Sequence, residues 1–295
     1  MYTMPPITKN IIIINVLFYI AMLVTPKYGV DLTNMLGLHF FLASDFKIYQ
    51  LVTYMFMHGN LMHIFFNMFA VWMFGRIIEA SWGSRRFLIY YFVCGIGAGL
   101  FQELIQWLDF QISGMATYDS VNLSGTIISM DAYLNLMNTV GASGAVYGIL
   151  LAFGLTYPDE RMFVFPLPVP IKAKYFVIGY AVIELVLGLS SSNDGIAHFA
   201  HLGGMVFGFL LILYWSNKNA LSGMGYIGKL KQYFCSKKKP KMKVHYGERN
   251  TDYQYNARKK EDQEEIDRIL DKVRKSGYES LTVDEKKKLF EASNK

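Results

Sequence analysis

Ser143 has the sequence setting of a nucleophile. It lies in the segment Gly141-Ala142-Ser143-Gly144, at the start of an apolar run that extends to Tyr157. The length and composition of this run predict a helix with Ser143 in its first turn, where backbone N–H groups lack intrahelical acceptors. Such donors can bind the oxyanion that forms when a serine attacks a carbonyl. The spacing Gly144-x3-Gly148 is also typical of close contacts between membrane helices, so this segment alone leaves both interpretations open.

A candidate base lies in another apolar segment. His201, Gly204 and Gly208 fall at i, i+3 and i+7, which places them on one helical face. His201 follows the start of its segment, Ile196, by five residues, or roughly 7 to 8 Å of helix rise. Ser143 lies near the same end of its own segment, so we expect the two side chains to meet at one depth.

Two further polar residues share a helical face in an earlier apolar segment. His63 and Asn67 are four residues apart, and Tyr147 likewise follows Ser143 by four. Strongly polar groups in apolar segments usually face the interior of a helix bundle and mark a function. These residues are therefore candidates for the same site.

The composition predicts an all-α membrane protein. Of 295 residues, 53% are hydrophobic and 18% are charged, which is far more apolar than an average soluble domain. Cys94 lies in an apolar run and Cys235 in a basic tail, so neither a disulfide framework nor a cysteine metal site is expected. We predict no cofactor, no metal and no nucleic-acid partner.

Six apolar segments approach the ~20 residues that cross a bilayer. They run from about Ile11 to Val24, Leu51 to Ile78, Phe87 to Leu108, Val140 to Tyr157, Ala173 to Leu189 and Ile196 to Trp215.

The distribution of basic residues predicts that both termini are cytoplasmic. With that orientation the outside loops carry only Lys27 and Lys47. The inside flanks carry Lys9, Arg76, Arg85, Arg86, Arg161, Lys172 and Lys174.

The order of these motifs resembles the rhomboid family of intramembrane serine proteases. The motifs are His63-x3-Asn67, Gly141-Ala142-Ser143-Gly144 and Ala200-His201-x2-Gly204-x3-Gly208, on the second, fourth and sixth segments. The resemblance covers about Ile7 to Trp215. It implies a six-transmembrane-helix bundle, and Glu79 followed by Trp82-Gly83-Ser84 also matches the family's second helix.

The resemblance implies a role for each site residue. Ser143 and His201 would form a catalytic dyad, with His63 and Asn67 in the oxyanion hole and Tyr147 packed against the catalytic histidine. Gly141, Gly204 and Gly208 would support this site. Substrates would be single-span membrane proteins, cut near the outer side of the bilayer. Many members of the family carry a Trp-Arg pair in the first outside loop. Residues 25–50 of this chain contain no Trp and no Arg, so the anchoring of this loop is left open.

Other polar residues in or near the apolar segments are expected to have secondary roles. His198 is a weaker candidate for the base because the family pattern has the histidine directly before Leu-Gly-Gly. His58 is expected at an interface. Glu103 and Glu184 are expected to be interhelical hydrogen-bond partners, and Asp194 a cap of the last membrane helix.

Three alternative functions remain open. A metal-binding membrane protein could use the imidazoles of His58, His63, His198 and His201. A transporter is disfavoured because no repeated, broken helices occur in the two halves. A catalytically silent, rhomboid-like binder of membrane proteins is the last alternative.

The sequence predicts three regions. Residues 1–216 form the six-helix membrane domain, residues 217–255 a basic juxtamembrane linker and residues 256–295 a small cytoplasmic helical hairpin. The run from Lys237 to Lys243 could contact anionic lipids. In the first helix of the hairpin, one apolar stripe is formed by Ile266, Ile269, Leu270 and Val273, and Gly277 ends the helix. Thr282 and Glu285 form a capping box that opens the second helix. Leu289 and Phe290 are expected on the buried side of that helix. The predicted location is the bacterial cytoplasmic (inner) membrane.

Overall fold

The computed structural model describes residues 4–163, 169–190, 196–220 and 249–293. The chain divides into two compact units, Met1–Lys231 and Gln232–Lys295. The predicted cap Asp194, most of the predicted linker 217–255 and its basic run from Lys237 to Lys243 lie outside the described residues.

The first unit is mostly helical. Its helices are α1 (Pro6–Val24), α2 (Leu32–Leu36), α3 (Gln50–Thr53), α4 (Leu61–Ala70), α5 (Arg76–Trp82), α6 (Ser84–Ile112), α7 (Met130–Asn135), α8 (Ser143–Thr156), α9 (Ala173–Leu189) and α10 (His198–Ala220).

Four helical stretches among the described residues are long and apolar enough to cross a bilayer. They are Pro6–Tyr28, Leu61–Trp82, Ser84–Ile112 and His198–Ser216. α8 is apolar but has only 14 residues, and α9 has 17. The structure therefore supports an integral membrane protein with four clear candidate spans, and the count of six stays a prediction.

The second predicted segment is not one continuous helix. Between Leu51 and Ile78 the chain forms α3, a 3₁₀ turn at Tyr54–Phe56 and a new helix from Leu61. The Asn60 side chain accepts a hydrogen bond from the His63 N–H at 2.8 Å and so caps this helix. A π-helical turn at Val71–Gly75 then joins α4 to α5. His63 consequently lies in a first helical turn.

The fold is mostly helical, as predicted, and short antiparallel strands that were not predicted pair in the loops. The pairs are β1 (Leu38–His39) with β4 (Asn138–Thr139), β2 (Ser120–Leu123) with β3 (Thr126–Ser129), and β5 (Arg161–Met162) with β6 (Ile171–Lys172). The pairing of β1 with β4 joins the two long loops, residues 25–50 and 109–139, just before Ser143.

Hydrogen bonds to buried side chains anchor the loop of residues 25–50, which is predicted to lie outside. The Glu103 carboxylate of α6 accepts the Phe41 N–H at 2.7 Å. The His39 ring lies 3.0 Å from the Asn135 carbonyl and 2.8 Å from that of Asn34. These contacts hold the loop without a Trp-Arg pair. Glu103 is a hydrogen-bond partner, but its partner is a loop N–H and not another helix, so the predicted interhelical contact was wrong.

Glu79 joins the start of α1 to the end of α5. Its carboxylate accepts the N–H groups of Ile7 and Thr8, the Thr8 hydroxyl and the Ser84 hydroxyl, at 2.6 to 3.0 Å. It satisfies donors that a helix N-terminus leaves unpaired. This gives a physical reason for a glutamate at this position.

The core of the first unit lies where α6, α8 and α10 meet. Glycines permit this close contact. A Cβ on Gly148 would lie 2.4 Å from the Cys94 sulfur, and one on Gly208 would lie 2.4 Å from the Tyr90 hydroxyl. Gly144-x3-Gly148 is therefore a helix-packing motif, as its spacing indicated.

The second unit contains a helical hairpin, α11 (Arg249–Ser276) and α12 (Val283–Ser293). Gly277 has φ 78° after α11, and the Thr282 hydroxyl accepts the Glu285 N–H while Glu285 accepts the Thr282 N–H. The predicted stop and capping box are confirmed. Ile269 is buried, but Phe290 is 68% exposed, so its predicted burial was wrong. A two-helix unit has too little interior to cover both faces of each helix.

Candidate active site

Ser143 is the first residue of α8 and is half-buried. The preceding backbone turns at Gly141, whose φ of +130° favours glycine. The Gly141 N–H donates to the Tyr54 carbonyl at 2.9 Å. This fixed turn directs the chain from β4 into α8, with the first N–H groups of the helix beside the serine.

His201 contacts Ser143 directly. Its Nε2 lies 2.8 Å from the Ser143 Oγ, although the two residues are 58 positions apart. The approach depends on backbone contact between α8 and α10, because a Cβ on Gly204 would lie 1.9 Å from the Gly144 carbonyl oxygen. The motif glycine one turn after His201 therefore sets the distance between the two side chains.

The Tyr147 ring stacks on the His201 ring. Their centroids are 4.2 Å apart and the planes differ by 7°. This contact covers one face of the imidazole and restricts its rotation. The position of Tyr147 agrees with the packing that the sequence led us to expect.

His63 lies on the other side of Gly141. A Cβ on Gly141 would lie 2.8 Å from both Cε1 and Nε2 of His63, and 3.5 Å from the Ser143 Oγ. The His63 Nδ1 accepts the Gly59 N–H at 3.3 Å. In a neutral ring this assigns the proton to Nε2, on the side that faces Gly141.

Asn67 is buried one turn after His63. Its Nδ2 donates to the His63 carbonyl at 2.9 Å, so the amide is held against its own helix. Asn67 and His63 share a face of α4, as the spacing predicts. The structure thus gathers Ser143, His201, Tyr147 and His63 closely, with Asn67 beside His63.

Glu184 of α9 is the residue whose importance the sequence reasoning underestimated. Its Oε2 lies 2.9 Å from Nδ1 of His201 and 2.7 Å from Nδ1 of His198, and its Oε1 accepts the Tyr147 hydroxyl. Its expected role as an interhelical hydrogen-bond partner is confirmed. Its position beside both histidines of α10 was not predicted.

A carboxylate within an apolar segment was the available signal for Glu184. The sequence could not show which neighbours it meets, because α9 is apolar on every side. His198, given a secondary role as the base, contacts Glu184 and not the serine.

The imidazoles form two separate groups. Glu184, His198 and His201 offer donor atoms within 4.8 Å of one another, which a metal ion could bind. However, Oε2 of Glu184 is only 2.7 Å from His198, whereas two ligands of one tetrahedral zinc are roughly 3.3 Å apart. The distance between Glu184 and His198 is that of a hydrogen bond and not that of two zinc ligands. His58 is buried against His63, with ring centroids 5.1 Å apart.

The arrangement can support acyl transfer. A hydroxyl touches an imidazole nitrogen that can accept its proton, and free N–H groups begin the helix beside it. Half-burial of Ser143 leaves the hydroxyl within reach of a substrate.

Comparison with known proteins agrees with this chemistry. Residues 45–218 match the Rhomboid domain, and residues 249–295 match a family of unknown function (DUF6576). Rhomboid protease GlpG of Yersinia pseudotuberculosis is 26% identical over 215 residues, which cover 73% of this chain and 64% of that protein. Rhomboid protease AarA of Providencia stuartii is 30% identical over 163 residues, which cover 53% and 52%.

Each of these matches spans less than two-thirds of the relative's own length. The Rhomboid domain match covers more than half of the chain and includes every residue of the cluster around Ser143. The chain therefore belongs to the rhomboid family.

Proposed function

We propose that this protein is an intramembrane serine endopeptidase, with Ser143 as nucleophile and His201 as general base. The observation that carries the proposal is the 2.8 Å contact between Nε2 of His201 and Oγ of Ser143. The stacked Tyr147 ring and the names of the related rhomboid proteases support it.

In the proposed reaction, the Ser143 oxygen forms a bond to the scissile carbonyl carbon and its proton passes to Nε2 of His201. The imidazolium then gives that proton to the leaving amine as the C–N bond breaks. Water, deprotonated by the same imidazole, hydrolyses the acyl-enzyme. No cofactor or metal is needed for these steps.

The developing oxyanion would be bound by three groups. The Ser143 N–H lies at the start of α8, where it has no intrahelical acceptor. His63 can donate from Nε2 beside Gly141, and the Asn67 amide lies one turn further along α4. Asn67 would have to exchange its present bond to the His63 carbonyl for one to the oxyanion.

The length of α8 suits a site below the membrane surface. Its 14 residues span roughly 21 Å at ~1.5 Å per residue, which is shorter than the ~30 Å hydrocarbon core. One end of α8 must therefore begin inside the membrane. A polar cavity at the Ser143 end would let a substrate helix unwind without leaving its backbone groups unpaired in lipid.

The proposed substrates are single-span membrane proteins, cut within or near the outer end of the transmembrane segment. The depth argument for Ser143 and His201 supports this choice, together with the family membership.

The proposed topology has six transmembrane helices and both termini in the cytoplasm. The short helices α8 and α9 would be the fourth and fifth spans. The excess of Lys and Arg on the inside flanks supports this orientation. With bacterial relatives, the bacterial cytoplasmic membrane is the proposed location.

We also propose a basic linker that contacts anionic lipids and a cytoplasmic hairpin after it. The predicted bounds, 217–255 and 256–295, shift because α10 ends at Ala220 and α11 begins at Arg249. The separate family match of residues 249–295 supports an independent unit.

Ser143→Ala and His201→Ala variants test the proposed function. Each should lose cleavage of a model transmembrane substrate while it remains folded in detergent. His198→Ala is the matched control, and it should keep substantial activity because His198 does not contact Ser143. An active His201→Ala with an inactive His198→Ala would refute the assignment of the base.

Labelling with a fluorophosphonate separates the enzyme from the catalytically silent alternative. The wild type should be labelled and Ser143→Ala should not. A folded wild type that is neither labelled nor able to cleave would support a silent binder of membrane proteins.

A further inference from the structure

The imidazole of His201 has polar neighbours at both ring nitrogens. Nε2 faces the Ser143 hydroxyl at 2.8 Å, and Nδ1 faces Oε2 of Glu184 at 2.9 Å. A serine, a histidine and a carboxylate thus lie in sequence on α8, α10 and α9.

We propose that Glu184 is a positioning residue for the general base His201, and that it supports the proposed Ser143-His201 pair from the other ring nitrogen. This inference rests on the proposed protease function and deepens it. Glu184 touches no reacting atom. It acts through His201.

The Glu184 carboxylate is itself held in place. It is 5% exposed, its Oε1 accepts the Tyr147 hydroxyl and its Oε2 lies 2.7 Å from Nδ1 of His198. A buried carboxylate is costly without such partners. Because Tyr147 also stacks on His201, one network fixes both the carboxylate and the plane of the catalytic ring.

The 2.9 Å distance favours one tautomer of His201. An ionised carboxylate can only accept hydrogen bonds, so in the proposed arrangement Nδ1 of His201 carries the proton that faces it. Nε2 is then the free acceptor that can take the proton of Ser143. When that transfer makes the imidazolium, the nearby negative charge of Glu184 stabilises it.

The Nδ1–H of His201 does not point straight at Oε2, despite the short distance. Catalytic hydrogen bonds are often poorly aligned without substrate and tighten in the Michaelis complex. A small rotation of the ring or of the carboxylate would align this one.

A purely structural role is the competing explanation, because Glu184 also joins α9 to α8 and α10. Replacement of the Glu184 carboxylate by an amide distinguishes the two roles. Glu184→Gln keeps the shape and the ability to hydrogen-bond, but it removes the charge. If its NH2 group faces His201, it also favours the tautomer with the proton on Nε2, which cannot accept from Ser143.

The experiment measures kcat and KM of wild type and Glu184→Gln on a model single-span transmembrane substrate, with the unfolding temperature of each in detergent. We expect kcat to fall by roughly 10²- to 10⁴-fold with little change in KM. Fluorophosphonate labelling of Ser143 should slow in parallel. Turnover within about threefold of wild type, a change well below the expected loss, would overturn the proposal.

Glu103→Gln is the matched control. Glu103 is also buried and accepts the Phe41 N–H, but it lies in α6 and contacts the outside loop. Its kcat should stay near that of wild type. An equal fall of kcat in both variants would mean that losing any buried carboxylate impairs the protein, and would overturn the specific role of Glu184.

Glu184→Asp keeps the proposal testable if the glutamine variant does not fold. Its carboxylate is retracted by one methylene, or ~1.5 Å, so kcat should fall while KM is preserved. Wild-type kcat in this variant would contradict the positioning role.

A chelator such as EDTA should leave the wild-type rate unchanged. A rate that falls on chelation and returns with zinc would assign Glu184, His198 and His201 to a metal site instead.

The outcomes also distinguish this inference from the proposed function. If wild type neither cleaves nor is labelled at Ser143, the proposed function fails. If wild type is active and Glu184→Gln equals it, only the inference fails.

Discussion

Replacement of Gly204 by alanine should separate the Ser143 and His201 side chains without changing either. An added Cβ would lie 1.9 Å from the carbonyl oxygen of Gly144 and 2.7 Å from its carbonyl carbon. Both are backbone atoms of α8, so no flexible side chain can move away. Because ordinary C···O contacts are ~3.3 Å or longer, α10 must move away from α8 by roughly 1.4 Å.

A movement of that size would break the contact between His201, the proposed base, and Ser143. If it carries His201 along, the 2.8 Å distance from Nε2 to the Ser143 Oγ becomes roughly 4 Å, beyond the hydrogen-bond limit of ~3.2 Å. Misplacement of a catalytic group by 1 Å can cost ~10²-fold in rate. We therefore expect kcat/KM to fall by at least ~10²-fold, with an overpacking cost of ~1 to 3 kcal/mol in the free energy of unfolding.

The assay compares cleavage of a model transmembrane substrate, fluorophosphonate labelling and thermal unfolding in detergent. Gly179→Ala in α9 is the matched control, because a Cβ there meets no atom within 4 Å, and it should keep full activity. A folded Gly204→Ala protein that is labelled at the wild-type rate would refute the reasoning, since the contact would not then set the Ser143 to His201 distance.

Three further predictions concern other parts of the chain. Asn67→Ala should lower kcat by roughly 10²- to 10³-fold yet still be labelled slowly by a fluorophosphonate, and full turnover would remove Asn67 from the oxyanion hole. Truncation after Asn219 should leave labelling in detergent intact, and loss of labelling in a folded truncated protein would make the tail part of the enzyme. In the hairpin, hydrogen bonds from Lys272 and from the Thr282 N–H lower the pKa of Glu285 from 4.5 to about 2. These bonds therefore stabilise the folded hairpin above pH 4.5, and this stabilisation is lost as the pH falls towards 2. The protection factors of the α12 amides compare each exchange rate with the intrinsic rate at the same pH. In the full chain they should therefore fall over that range, and unchanged protection factors would contradict the ion pair.

The sequence by itself determined the identity and order of the residues proposed for catalysis. Ser143, His201 and their neighbouring glycines could be recognised because small residues at helical spacing predict both a helix and the face on which it packs. The close backbone contact between Gly144 of α8 and Gly204 of α10 is the packing that this spacing predicts. The capping box at Thr282 and Glu285 was also predictable, since both of its partners lie within one turn.

Only the tertiary structure decided where the polar residues between these motifs point. Glu184 lies in α9, which carries apolar side chains on every face. The sequence therefore has no single apolar face that would predict which side of this helix packs inward. The rotation of α9 follows from packing against α8 and α10, and this packing directs the carboxylate to His201. The start of α4 at Leu61 and the pairing of β1 with β4 likewise depend on contacts between segments far apart in the chain, which local spacing does not encode.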